Sequence, residues 1–369
     1  MVVEHSASES ASGGQDGLDK RPTPSLDDPE GVRIALSRWL SEKLGQQTII
    51  PVLKIPEGTG MSNVTLMFDA RIGKDSPTLS LVARIQPQGD KLAFPDYDLP
   101  MQCRLMQALK AIVPVPHIIG QENDGAVLGM PFYIMKKTEG LIPPDIPPYH
   151  MDGWIKQSVP ETRRKIWYAG IEAMSRVHNV RLEDNPVLME AVKQSRFPKS
   201  LNDQLAYWQN YYMWGYGDLC HESVEKALCW LQENRPEQQA MRLCWGDARM
   251  ANIIVDEQSN AVAALLDWEM ASLGDPLQDL AWWVYMDELF SVGLGVAPLE
   301  GFPGRQKSAQ YWSELTGLGI SNLGYYLVYA ATRFALILGR MGLVNGNTEN
   351  VGKGFEVDYL NKMLKAFAN

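Results

Sequence analysis

The sequence predicts an α+β chain of two lobes, a small antiparallel sheet with one helix followed by a larger, mostly helical part. Three observations carry this. At 369 residues the chain exceeds one ordinary core of about 100–200 residues and falls short of three. Short β-rich runs separated by turn residues fill the stretch from Thr48 to about Ile134, whereas helical periodicity dominates from about residue 150 onward. A 45% hydrophobic and 21% charged composition is that of a globular protein with a large core.

Taken in order, residues 1–27 are polar, rich in Ser and Gly between Ser6 and Gly17, and lack the apolar segment of a signal peptide; they predict a disordered tail. Asp27, Asp28 and Pro29 then precede Val32, Leu36, Trp39, Leu40 and Leu44, which share one helical face. Strands are expected over Thr48–Leu53, Asn63–Ala70, Leu79–Ile85, Ile118–Gly120 and Phe132–Met135, with one helix from about Leu99 to Ala111 between the third and fourth. The lobe boundary falls near Thr138–Gly140, giving lobes of residues 28–137 and 138–369, and the Pro-rich stretch Ile142–Pro148 is a loop. Helices are expected over Glu161–Asn179, Ser200–Tyr212, Val224–Asn234, Leu277–Leu289, Gly304–Thr316, Leu323–Met341 and Val357–Phe367, with two β-like runs, Ile253–Asp256 and Ala261–Leu266, around a turn at Asn260. Leu323–Val344 has the length of a membrane span, but Arg333 and Arg340 interrupt it and predict a buried helix.

A net charge of −10 argues against nucleic acid or anionic membranes as partners, since binding phosphates needs clustered Lys and Arg. Any anionic ligand must be held by local groups. The four cysteines form no C-x-x-C pair and the five histidines are scattered, so a reduced, cytoplasmic chain without structural zinc is expected.

Chemistry concentrates in Trp245-Gly-Asp-Ala-Arg-Met-Ala-Asn252, followed by Leu265-Leu-Asp-Trp-Glu269 and Gly274-Asp-Pro-Leu-Gln-Asp-Leu280. Asp247 and Asn252 stand in D-x-x-x-x-N, the spacing that sets a base and a metal ligand on one loop of a phosphotransferase. Asp267 follows an apolar strand, a rigid element that can aim a second metal-binding carboxylate. Loop, strand pair and second Asp, after a β-rich lobe and inside a helical one, resemble the aminoglycoside phosphotransferase-like family, which includes the choline kinase type and is related to the protein kinases. The resemblance runs from about Ile34 to the C-terminal helix.

The resemblance implies a protein kinase-like two-lobe fold, with residues 28–137 as nucleotide-binding lobe and residues 138–369 as catalytic and acceptor-binding lobe. It implies Asp247 as catalytic base, Asn252 and Asp267 as metal ligands, and ATP with Mg2+ as cofactors. Asp279 would brace the catalytic loop from below; its plain alternative is a carboxylate satisfying a helix N-terminus, and Asp275 reads as an N-cap. Gly58-Thr-Gly-Met-Ser-Asn63 resembles the phosphate-covering turn, with Gly60, Ser62 and Asn63 as nucleotide contacts. Arg84 takes the place of the strand Lys that meets the phosphates, and Met135, Lys136 and Lys137 that of the hinge whose backbone meets adenine.

Three residues depart from the family pattern: Trp245 where many relatives have His, Arg84 for Lys, and Gln102 where a Glu usually braces the strand cation. Arg keeps the charge and can contact two oxygens, and Gln102 is expected to offer it a neutral amide. These departures also motivate a rival reading, a kinase-like module that binds nucleotide or a partner protein without transferring phosphate. The acceptor is expected to be a small molecule bearing a hydroxyl. Tyr207–Tyr216 and Trp282–Trp283 are aromatic where a polycation would need carboxylates, which favours a less polar acceptor such as a hydroxyacyl thioester or a catabolic alcohol over aminoglycosides.

Overall fold

The computed structural model describes residues 28–54, 63–74, 77–237, 240–349 and 351–368. The tail expected over residues 1–27, and Gly60 and Ser62, lie outside the described residues. Helix α1 (Pro29–Leu44) begins where Asp28 accepts from Gly31 N–H and ends at Gly45, whose φ of 67° is the left-handed conformation of a helix stop. It covers one face of a six-stranded antiparallel sheet made of β1 (Thr48–Ile49), β2 (Leu53–Lys54), β3 (Val64–Ile72), β4 (Leu79–Ile85), β5 (Ile118–Glu122) and β6 (Phe132–Lys136). The strand order is β1-β3-β4-β6-β5, with β2 also paired to β3, so the expected run Thr48–Leu53 is two short strands.

Period-two alternation decides what faces the cleft. Leu66 and Phe68 on β3, Leu81 and Ala83 on β4, and Phe132 and Ile134 on β6 pack with Leu36 and Leu40 of α1. Thr65, Arg84 and Tyr133 therefore share the opposite face, and register sets Arg84 between them, opposite Thr65 and Tyr133. Helix α2 (Leu99–Leu109) lies on that side. Its buried Met101, Cys103, Leu105 and Met106 join the core of the helical lobe, so one apolar cluster spans both lobes.

The second lobe comprises α3 (Trp154–Gln157), α4 (Pro160–His178), α5 (Pro186–Gln194), α6 (Leu201–Tyr216), α7 (Glu222–Glu233), β7 (Arg242–Cys244), β8 (Ile253–Val255), β9 (Val262–Leu265), β10 (Ser272–Gly274), α8 (Leu277–Leu289), α9 (Gly304–Thr316), α10 (Leu323–Val344) and α11 (Phe355–Phe367). The expected strand pair appears as the β8–β9 hairpin, with Asn260 at φ 59° in its turn. Helix α10 passes the length and composition test for a membrane span, yet it is packed among α8, α11, α7 and α6. Antiparallel β7 and β10 pair Leu243 with Leu273 and close the base of the loop from Trp245 to Asn252.

Candidate active site

Strand β7 delivers the chain into Trp245-Gly-Asp247, and β8 carries it away, so Asp247 and Asn252 sit on one loop anchored at both ends. Gly246 has φ 95°, and a side chain there would run into the Met270 carbonyl; only glycine fits. Asn252 donates through Nδ2 to Asp247 Oδ2 at 2.7 Å and to the Asp247 carbonyl at 3.0 Å. That fixes its amide and leaves Oδ1 as the atom it can offer a cation. The other Asp247 oxygen accepts from the indole of Trp282 at 2.7 Å. Asp247 is 8% exposed, a carboxylate aimed by two neutral donors at the edge of the cleft.

Asp279, at the start of α8, is fully buried and accepts from Trp245 N–H at 2.6 Å, Gly246 N–H at 3.0 Å and His178 Nε2 at 3.0 Å. Trp312 donates its indole N–H to His178 Nδ1, which leaves Nε2 as the protonated nitrogen and makes the His178 bond a donor to Asp279. The side chain thus holds the loop backbone, whereas Asp275 Oδ1 accepts from Leu277 N–H and satisfies the helix start, one residue before the formal cap Pro276. Trp245 supplies more than bulk. Its indole donates to the Leu266 carbonyl at 2.7 Å, one residue before Asp267, tying the two carboxylate-bearing segments together.

Asp267 is one of two described non-glycine residues at positive φ, 59°, an unfavourable conformation that occurs where function or packing demands it. Its carboxylate meets Arg84 Nη2 at 2.9 Å, and Arg84 Nη1 donates to Thr65 Oγ1 at 3.2 Å. Burial works against the Arg84 charge, but Asp267, with Tyr133 and Glu269, overcomes it and raises the pKa above the ordinary value. Arg84 is therefore a permanent cation facing the cleft.

Gln102 departs from expectation. It does not reach Arg84: its Oε1 accepts from Tyr133 O–H at 3.3 Å, its Nε2 is buried without a partner, and Tyr133 occupies the place beside Arg84. The counter-charge comes from Asp267 instead. Asn63 is buried and donates to Glu269 Oε2 at 3.0 Å, joining the start of the run into β3 to the second lobe. At the expected hinge, Met135 pairs with Val82, while Lys136 N–H bonds His117 O and Lys137 N–H bonds Ser80 O. The N–H groups of Lys136 and Lys137 are thus spent within the sheet.

Sequence reasoning missed Arg249 and Glu269. Arg249, two residues beyond Asp247, lies 3.2 Å from its carboxylate and 2.8 Å from Asp145 of the Pro-rich loop. Burial opposes its charge, and Asp145 followed by Asp247 raises its pKa above the ordinary range. A cation inside the D-x-x-x-x-N window was the available signal. The aromatic helices divide: Trp282 and Trp283 are buried, the first on Asp247 and the second against Trp167 at 5.3 Å, whereas Tyr207 and Trp208 line a cavity beside Glu269 and Met270.

A Mg2+ ion held by one or two protein oxygens and the phosphates it accompanies fits the donor set of Asn252 Oδ1 and Asp267, all hard oxygen. No group of three or more His, Cys, Asp or Glu that could hold a metal occurs among the described residues.

The family model for the phosphotransferase enzyme family matches residues 71–317. Among curated proteins, mouse acyl-CoA dehydrogenase family member 10 is 27% identical over 313 residues, covering 82% of this chain and 28% of that protein. Human acyl-CoA dehydrogenase family member 11 is 27% identical over 57% of this chain and 26% of its own length. The chain thus spans well under half of either relative. Among solved structures, a Ralstonia eutropha protein assigned to the aminoglycoside phosphotransferases superposes with TM-score 0.65 at 21% identity, covering 89% of this chain and 98% of that one. Aminoglycoside phosphotransferase APH(4)-Ia, in a ternary complex with ADP and hygromycin B, superposes with TM-score 0.55 at 18% identity over 91% and 99%. The kinase-like two-lobe fold is shared with these enzymes. With the match covering more than half of its length, the chain belongs to the phosphotransferase enzyme family.

Proposed function

We propose that the chain is a small-molecule kinase that uses Mg2+ and ATP to phosphorylate the hydroxyl of a weakly polar acceptor, a hydroxyacyl thioester being the best fit. The observation that carries the reading is the placement of Asp247: a carboxylate oriented by Trp282 and Asn252, acting on the same Arg249 as a second carboxylate, Asp267, which is paired with the cleft cation Arg84. In the transfer, the acceptor oxygen bonds to the γ-phosphorus, its proton passes to Asp247, and the bond from phosphorus to the bridging oxygen breaks with its electron pair leaving on ADP. Mg2+, held by Asn252 and Asp267, would neutralise phosphate charge as it develops.

Arg84 pairs with phosphate oxygens in the space it now shares with Asp267. Arg249, already against Asp247, can turn its guanidinium from Asp145 to the transferred group. The acceptor class is supported by relatives named as acyl-CoA dehydrogenase family members, and by the rings of Tyr207 and Trp208, which offer an apolar wall in a cavity that Asp96, Asp98 and Glu269 also border.

A coupled ADP-release assay with Mg-ATP and a panel of hydroxyacyl-coenzyme A thioesters, simple alcohols and kanamycin tests this. The thioesters are expected to turn over and kanamycin to be poor. Rapid phosphorylation of kanamycin would overturn the acceptor class.

A further inference from the structure

Arg333 of α10 is 3% exposed, and among the described residues no carboxylate pairs with it. Its Nη2 donates to the Gly246 carbonyl at 2.9 Å, and its guanidinium stands 4.5 Å from the Trp282 ring, 5.3 Å from Tyr329 and 5.4 Å from Trp208. Ring faces attract a cation but do not use its N–H groups. Nε is buried with no acceptor. A buried guanidinium with neither a counter-ion nor a full set of acceptors is costly.

Arg333 lines a cavity of about 160 Å3 whose other walls include the rings of Phe94, Tyr97, Tyr207 and Trp208. An apolar cavity of about 150 Å3 accepts benzene, so this one suits a body of roughly six to eight heavy atoms. Asp98 and Glu269 also border it, but they are engaged, Asp98 with Met101 N–H and Arg104, Glu269 with Asn63. With exposed Asp96 they make its border acidic, offset at Asp98 by Arg196 at 4.0 Å, a surround that a dianion would meet unfavourably and a monoanion on a compact apolar body would tolerate.

We infer that this cavity binds a small carboxylate, its anionic end on the Arg333 guanidinium where that group borders the cavity and its body between Tyr207, Trp208 and Tyr97. The assignment does not depend on phosphoryl transfer. Occupancy is nevertheless felt at the catalytic loop, because Trp282, stacked on Arg333, is the residue that donates to Asp247.

Calorimetric titration of the full chain with benzoate and 4-hydroxypentanoate, set against benzamide and 1,4-pentanediol, is the direct test. The carboxylates are expected to bind at least ten-fold more tightly than their neutral counterparts, and Tyr207→Ala to weaken them at least five-fold. Arg333→Gln should erase the preference for charge; because Arg333 also holds Gly246, Tyr207→Ala decides the matter where that variant does not fold. ADP formation with 4-hydroxypentanoate would mark the bound carboxylate as acceptor, and its binding without turnover as effector; either supports the site. Equal affinity for charged and neutral compounds, no binding at millimolar concentration, or wild-type affinity in Tyr207→Ala would overturn it.

Discussion

The helical wall of the cleft and the sheet wall are held by different kinds of contact. On the helical side, backbone groups of the catalytic loop are gripped directly: Asp279 takes two consecutive N–H groups, Arg333 the Gly246 carbonyl, and Trp245 the Leu266 carbonyl. On the sheet side, the described site contacts are between side chains, Arg84 with Asp267 and Asn63 with Glu269, and both groups are the ones a nucleotide and its metal would claim. On the proposed reading, one wall is a fixed template for Asp247 as base. On the same reading, the other would exchange internal partners for phosphate, since those pairs compensate charge until the ligand does.

The largest test of that contrast is Asp279→Ala. It strands two buried N–H groups and a histidine donor, and should cost on the order of 3–5 kcal/mol in urea unfolding, as removal of one partner from a buried charged cluster does. A loss below about 1 kcal/mol would mean the loop is held elsewhere. On the sheet side, Arg84→Ala should leave the melting temperature within a few degrees while raising the KM for ATP roughly ten-fold or more, because a charge-assisted phosphate contact is worth about 1.5–3 kcal/mol. If instead stability falls and the KM stays, the Arg84–Asp267 pair is structural.

Mg-ATP at one hundred times its dissociation constant should stabilise by about 2.7 kcal/mol, and ATP without metal by clearly less, read as melting shifts. Equal shifts would remove Asn252 and Asp267 from metal binding. The smallest effect belongs to Gln102→Met. The amide nitrogen there has no partner, but Oε1 takes the buried Tyr133 hydroxyl at 3.3 Å, so an apolar side chain removes one unmet group and creates another and should cost about 1–2 kcal/mol while leaving the KM for ATP alone. A ten-fold rise in that KM would restore Gln102 as a brace of Arg84.

What was legible in the sequence is what is local. Asp247, Asn252 and Asp267 fall within a short window whose flanking apolar runs are strands, and α8 and α9 have the predicted limits because their periodicity and punctuation agree. Leu323–Val344 read correctly as buried, yet the same arginine that spoke against a membrane proved to hold the loop from 87 residues away. Contacts at such separations leave no spacing to read: Asn63 and Glu269 are 206 residues apart, and Arg249 and Asp145 are 104 apart. Strands β7 and β10 were missed because three residues show no alternation. The Gln102 expectation failed for a geometric reason, since cross-strand register put Tyr133 beside Arg84.

Single-turnover transfer from γ-labelled ATP to a hydroxyacyl-coenzyme A thioester, with Mg2+ and enzyme in excess, tests the central claim most directly when wild type is run beside Asp247→Asn. The account predicts label in the acceptor with wild type and a rate roughly 10²- to 10⁴-fold lower in the variant, with ATP binding retained. Label transferred equally well by both, or by neither to any hydroxyl compound while ATP still binds, would contradict it and leave a nucleotide-binding module.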